Sequence, residues 1–116
     1  MVRLKRVYED ASPEDGLRVL VDRLWPRGLS KQKARVDIWL KDIAPSHELR
    51  KWFGHDPAKW KDFHARYRQE MNDQADSLAL LRKKAKAGTV TLLFAAHDQE
   101  HNNAVVLKSA LNRRAR

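Results

Sequence analysis

The sequence contains no cysteine. That single absence excludes disulfides, thiolate nucleophiles and cysteine-based zinc or iron–sulfur centres. It also fits a reducing compartment, so a cytoplasmic location is expected. No apolar run approaches the ~20 residues that a membrane-spanning helix needs. The amino-terminal Met1-Val2-Arg3-Leu4-Lys5-Arg6 has no apolar stretch of the kind found in secretory signals, so no membrane partner is expected. Repeats and low-complexity linkers are absent. So are the P-loop, G-x-G-x-x-G and G-x-S-x-G motifs, which argues against P-loop nucleotide hydrolysis, a Rossmann cofactor site and an α/β-hydrolase nucleophile. No cofactor is expected.

A length of 116 residues predicts one domain over residues 1–116, long enough to bury a core without staples. Hydrophobic residues make up 42% and charged residues 34%, a globular balance. The net charge is +9, with the larger share of the excess in the second half of the chain. Such a charge favours anionic partners, either small molecules or nucleic acid, and is equally what a solvated basic surface would give.

Alternating residues from Arg3 to Tyr8 predict a first strand, and Ser12-Pro13 with Asp15-Gly16 a turn. Leu17 to Asp22 reads as a second, more apolar strand. Ser30 is a candidate N-cap for a short basic helix, Lys31 to Arg35. Val36 to Leu40 reads either as a short strand or as an extended anchor for Trp39. Pro45-Ser46 opens a helix that Gly54 closes, and Asp56-Pro57 opens the next. Trp60, Phe63, Tyr67 and Met71 then share one helical face. The pattern weakens over Asn72 to Asp76 and resumes at Leu78, Leu81 and Ala85, which predicts two helices or one bent helix. Thr89 to Phe94 is the strongest strand. A polar loop, His97 to Asn103, leads into a last helix with Ala104, Leu107 and Leu111 on one face, ending at Arg113, Arg114 and Arg116. Strands separated by helices predict an α/β fold: a small, mainly parallel sheet flanked by helices.

Two polar exits follow the apolar strands. The first is Asp22-Arg23-Leu24-Trp25-Pro26-Arg27-Gly28. The second is His97-Asp98-Gln99-Glu100-His101-Asn102-Asn103. In a parallel sheet the carboxyl ends of strands share one edge, where ligands of open α/β proteins bind. Arg23 and Arg27 offer forks for a carboxylate or phosphate, and Arg50 extends the basic face. Trp25 is either an aromatic wall or a core plug. Asn102 and Asn103 would hold an anion at the helix start or cap that helix. Asp22, His55 and Asp98 are the candidates for moving protons, although Asp22 could instead form a structural ion pair with Arg23 or Arg27, and His55 could simply tie down its turn. His97 and His101 would share a face if helical. Asp98 stands where H-E-x-x-H has glutamate and no third ligand is apparent, so no metal is expected.

The runs Leu20-Val21-Asp22-Arg23-Leu24-Trp25-Pro26-Arg27-Gly28 and Phe53-Gly54-His55-Asp56-Pro57, with Arg6-Val7-Tyr8, Ala44-Pro45-Ser46 and the stretch from Thr91 to Leu107, resemble the YeaO-like family of small bacterial proteins, a group of unknown function. The resemblance covers nearly the whole chain and implies a cytoplasmic bacterial protein with no assigned activity. Longer relatives in the broader group carry cysteines in the loop after the last strand, a region where this chain has Ala95 and Asn102 or Asn103. Three functional readings remain. The first is binding of an anionic small molecule in a strand-end cleft, with turnover left open. The second is nucleic-acid binding through the basic surface, with Trp25 or Trp52 as stacking platforms. The third is a protein-interaction or regulatory module using exposed tryptophan.

Overall fold

The computed structural model describes residues 1–112. The expected basic end of the last helix, at Arg113, Arg114 and Arg116, lies outside the described residues. Four strands form one sheet: β1 (Val2–Arg6), β2 (Leu17–Leu20), β3 (Ile38–Trp39) and β4 (Val90–Phe94). Their order is β1-β4-β2-β3, and every pairing is parallel. The fold is therefore α/β, as expected. The last strand in sequence sits between the first two because it is the most apolar: all five residues of β4 are buried. A parallel sheet covered on both faces needs such a strand at its centre.

The period-two alternation divides the core. Val19, Val21, Leu92 and Phe94 face one large cluster, covered by α2 (His47–Phe53), α3 (Trp60–Glu70), α4 (Ala75–Ala87) and α5 (Asn103–Asn112). Leu20 and Leu93 point the other way, into a smaller cluster with Val7, Ala34, Trp25 and Trp39 beneath α1 (Lys31–Ala34). Each such fully buried aliphatic side chain contributes about 1.5–3 kcal/mol.

Local signals place the helices. The hydroxyls of Ser30 and Ser46 accept from the Lys33 and Leu49 amides, and the Asp56 carboxylate accepts from Ala58. Gly54 closes α2 in the left-handed region, at φ +53°. Arg35, expected inside α1, instead ends it in that same conformation. Residues 71–74 form a 3-10 turn between α3 and α4, so the weak stretch of the pattern is a break between two helices. Val36 to Leu40 contributes the short β3. None of the described helices is long and apolar enough to cross a membrane.

The amino edge of the sheet is closed by an ion network that the sequence pattern did not signal. Asp15 is 2% exposed and Arg18 4%. The Asp15 carboxylate lies 2.6 Å from Arg18 Nη1 and 3.2 Å from Lys5 Nζ, and it accepts the Ser12 amide. Arg18 also donates to the carbonyls of Ala34 and Arg35, which holds α1 against β2. Gly16 allows this close turn. Its φ is +61°, and a Cβ there would lie 2.3 Å from the Thr89 carbonyl oxygen.

Candidate functional site

The carboxyl edge brings the two exits together. The Ala95 amide, one residue past β4, donates to the Asp22 carboxylate at 2.9 Å. The Asn103 side-chain amide donates to the Val21 carbonyl at 2.9 Å. From the far side, the Arg6 guanidinium donates to the carbonyls of Ala95 and Ala96 at 3.1 and 2.9 Å. Ala95 is thus held by a carboxylate from β2's exit and a cation from β1's end. Sequence reasoning missed Arg6, because only the strand order places it beside the β4 exit.

Asp22 is the electrostatic centre of this edge. Burial raises its carboxyl above the usual carboxylate range. The Ala95 and Asn103 hydrogen bonds, then the charges of Arg50 and His55, offset that rise only in part. No ion pair joins Asp22 to Arg23 or Arg27 among the described residues. Arg23 instead donates to the carbonyls of Ala44 and Pro45, fixing the segment before α2. Behind the edge, the buried Tyr67 hydroxyl donates to the Ile43 carbonyl at 2.6 Å, and burial raises its phenol so that it stays a donor.

The remaining sequence candidates divide between scaffold and surface. Trp25 is half-buried, gives its indole N–H to the Leu29 carbonyl and meets Trp39 edge-on at 5.4 Å. Trp39 in turn donates to the Asp22 carbonyl at 2.8 Å. Arg27 is exposed, and its carbonyl accepts from the Tyr8 hydroxyl. Arg50 is half-buried and His55 exposed, the latter in the left-handed region at φ +57° with its ring 6.2 Å from Phe53. Asp98 accepts from the Glu100 and His101 amides and contacts the His101 ring at 2.9 Å. These hydrogen bonds hold its carboxyl below the usual range. Asn102 is buried, caps α5 through the Val105 amide and donates to the Asp98 carbonyl. Asn103 therefore meets Asp22 at one edge, where Arg50 and His55 act on the carboxylate through their charge, while Arg23, Trp25, Asp98 and Asn102 build the loops around it.

His97 and His101 lie in the loop before α5, not on a helix. No group of three or more potential metal-binding side chains occurs among the described residues. Two surface depressions lie on the helical layer instead of at the strand ends. One of about 430 Å³ runs along α3 beside Trp60. The other, about 530 Å³, lies between α2 and α3 and is lined by residues of both signs, among them Glu48, Arg66, Glu70 and Asp73.

A family model described as the inactive DUF488-N3 subclade matches residues 1–116. The uncharacterised protein Rv3073c of Mycobacterium tuberculosis is 49% identical over 113 residues, covering 97% of this chain and 95% of its own length. The uncharacterised protein YeaO of Escherichia coli is 41% identical over 106 residues, with 91% and 92% covered. No solved structure matches. The chain belongs to the YeaO-like DUF488 family.

Proposed function

We propose that the carboxyl edge of the sheet binds a small anion, a phosphate or carboxylate, in the cytoplasm and without turning it over. The supporting observation is the Asp22–Ala95 hydrogen bond, which joins both strand exits where Arg50 and His55 act on a single carboxylate. The word "inactive" in the subclade's description favours binding over catalysis. Arg50 and His55 supply positive charge, and exposed Arg27 a second fork. Asp22 tunes the site. Ionised, it repels an incoming anion; protonated, it can donate to one. Anion binding therefore takes up a proton, and affinity rises as pH falls through the raised Asp22 value.

The test is a thermal-shift and calorimetric series with inorganic phosphate and small carboxylates across pH. Saturable binding that strengthens in acid, weakens in Arg50→Ala and shows a shallower pH dependence in Asp22→Asn is the expected result. A flat response from the folded protein to every anion would remove the proposal.

Nucleic-acid binding is the second reading, supported by the +9 charge. The two indoles first considered as platforms are poorly suited to it. Trp52 already carries Arg66 at 4.3 Å and Lys59 at 5.2 Å over its ring, and Trp25 is packed against Trp39. A gel-shift titration in salt tests this reading, because phosphate-driven binding must fall steeply as salt rises. The protein-interaction reading has less support. All four tryptophans are half-buried, and the large apolar side chains exposed among the described residues are Met1, Tyr8, Leu24 and Leu80.

A further inference from the structure

The two faces of the sheet are covered unequally. Four helices, α2 to α5, lie over one face, whereas the other has the four-residue α1 as its helical cover among the described residues. Parallel sheets normally bury both faces. On the thin side Trp25, Leu29, Val36 and Trp39 stay half-buried at the margin of the small core. Leu24, next to Trp25 in the chain, is 63% exposed. An exposed aliphatic side chain beside half-buried apolar ones is a feature of docking surfaces. Charge is concentrated here as well. Residues 23–41 hold six cations and one carboxylate, so this short stretch carries +5 of the net +9. Ala34 is the buried member of α1; Lys31, Lys33 and Arg35 are exposed, and their charged groups make no hydrogen bond or ion pair among the described residues. The carboxylate of the stretch, Asp37, accepts from the Arg18 amide at 2.8 Å.

From the uneven cover and the run of free cations we propose that the α1 face docks an acidic segment of another protein, one that carries aliphatic side chains between its carboxylates. Leu24, Leu29 and the edges of Trp25 and Trp39 take the aliphatic groups, while Lys31, Lys33 and Arg35 pair with the carboxylates. A nucleic acid would use the cations and leave Leu24 in water. It would also find the nearby rings engaged: Arg6 lies over Tyr8 at 5.2 Å, Lys41 over Trp39 at 4.1 Å, and Trp25 meets Trp39 edge-on. A second copy of this chain would set the same cations against one another. The docking face needs no open tryptophan ring, and it does not depend on anion binding at the strand edge.

Fluorescence polarisation of the full chain with a labelled synthetic peptide of glutamate and leucine tests the proposal, with amide shifts read by NMR in a matching titration. The comparison ligands are a glutamate–serine peptide of the same length, a duplex oligonucleotide and a single-stranded one. The expected result is saturable one-to-one binding of the glutamate–leucine peptide, with shifts concentrated over residues 24–41. The glutamate–serine peptide should bind at least about tenfold more weakly, a difference of about 1.4 kcal/mol. Lys31→Glu combined with Lys33→Glu should weaken the first peptide at least about tenfold. Both positions are exposed in the first turn of α1, where acidic residues suit the helix, so folding is retained. The same change of net charge on α4, Lys83→Glu with Lys86→Glu, should leave the affinity as it was. Leu24→Ser should also weaken the peptide. Asp22→Asn, which alters the strand-edge site, should not, so the two readings fail separately. Five outcomes overturn the proposal: no saturation with the glutamate–leucine peptide, equal binding of the glutamate–serine peptide, equal losses in the α1 and α4 charge reversals, tighter binding of either oligonucleotide, or self-association of the free protein through residues 24–41 in sedimentation and NMR.

Discussion

Two aspartates flank β2, and their surroundings are opposite in character. Asp15, just before the strand, is 2% exposed yet has a carboxyl below the usual range. Burial pushes it up, but the Ser12 amide, Lys5 and Arg18 together outweigh burial. Asp22, just after the strand, has a carboxyl above the usual range, because an amide, Asn103 and the more distant charges of Arg50 and His55 compensate burial incompletely. One residue type thus serves two ends of one strand. At the amino edge the charge is satisfied and locks α1 to the sheet. At the carboxyl edge it is left under-compensated.

Removing Asp15 should be the most damaging way to test this contrast. Asp15→Ala leaves Arg18 buried without its carboxylate, and urea unfolding should show a loss of about 3–5 kcal/mol. A loss below about 1 kcal/mol would mean that the amino-edge network is not structural. A smaller effect is expected of Tyr67→Phe, which leaves the buried Ile43 carbonyl without its donor and should cost about 1–3 kcal/mol in the same assay. The least cost is expected for Asp22→Asn. At neutral pH it should match or exceed the natural protein in stability, since the amide oxygen can still accept from Ala95 and the disfavoured charge is gone. A clear destabilisation would show that the Asp22 charge is itself a structural group.

pH sharpens the same comparison, because the two signs oppose. The folded state lowers Asp15, so its contribution is present above the ordinary aspartate value and is lost as pH falls through the folded value. The gap between the natural protein and Asp15→Asn should therefore narrow in acid. Asp22 is raised, so its contribution is complete below the ordinary value and disappears as pH rises through the folded one. The advantage of Asp22→Asn should therefore grow over that interval and level off above it. Unfolding curves of the three proteins from acid to neutral pH read both slopes.

The parts of this molecule legible in the sequence are those governed by neighbours along the chain. Ser30, Ser46 and Asp56-Pro57 mark helix starts because caps act within three residues. The apolar run of β4 marks a central strand because burial on both faces demands it. The meeting of the exits was also readable, since parallel strands share a carboxyl edge. Individual side-chain roles were less legible. Arg23 looked like an anion fork, but its partners are carbonyls 21 and 22 positions away. Asp15, marked only as turn chemistry and three positions from Arg18, also meets Lys5 because β1, β4 and β2 lie in that order. Arg6 reaches Ala95 across 89 positions. Such contacts follow from strand order, which no local pattern encodes.

The grip on Ala95 has one more consequence. Its amide hydrogen points at a carboxylate and its carbonyl at a guanidinium, although the residue lies beyond the regular ladder of β4. In heavy water that hydrogen should persist alongside those of the central strand, while the loop just after it exchanges quickly. The start of the loop is then already immobilised, so under the proposed anion binding a guest docking there would forfeit little of the chain's freedom.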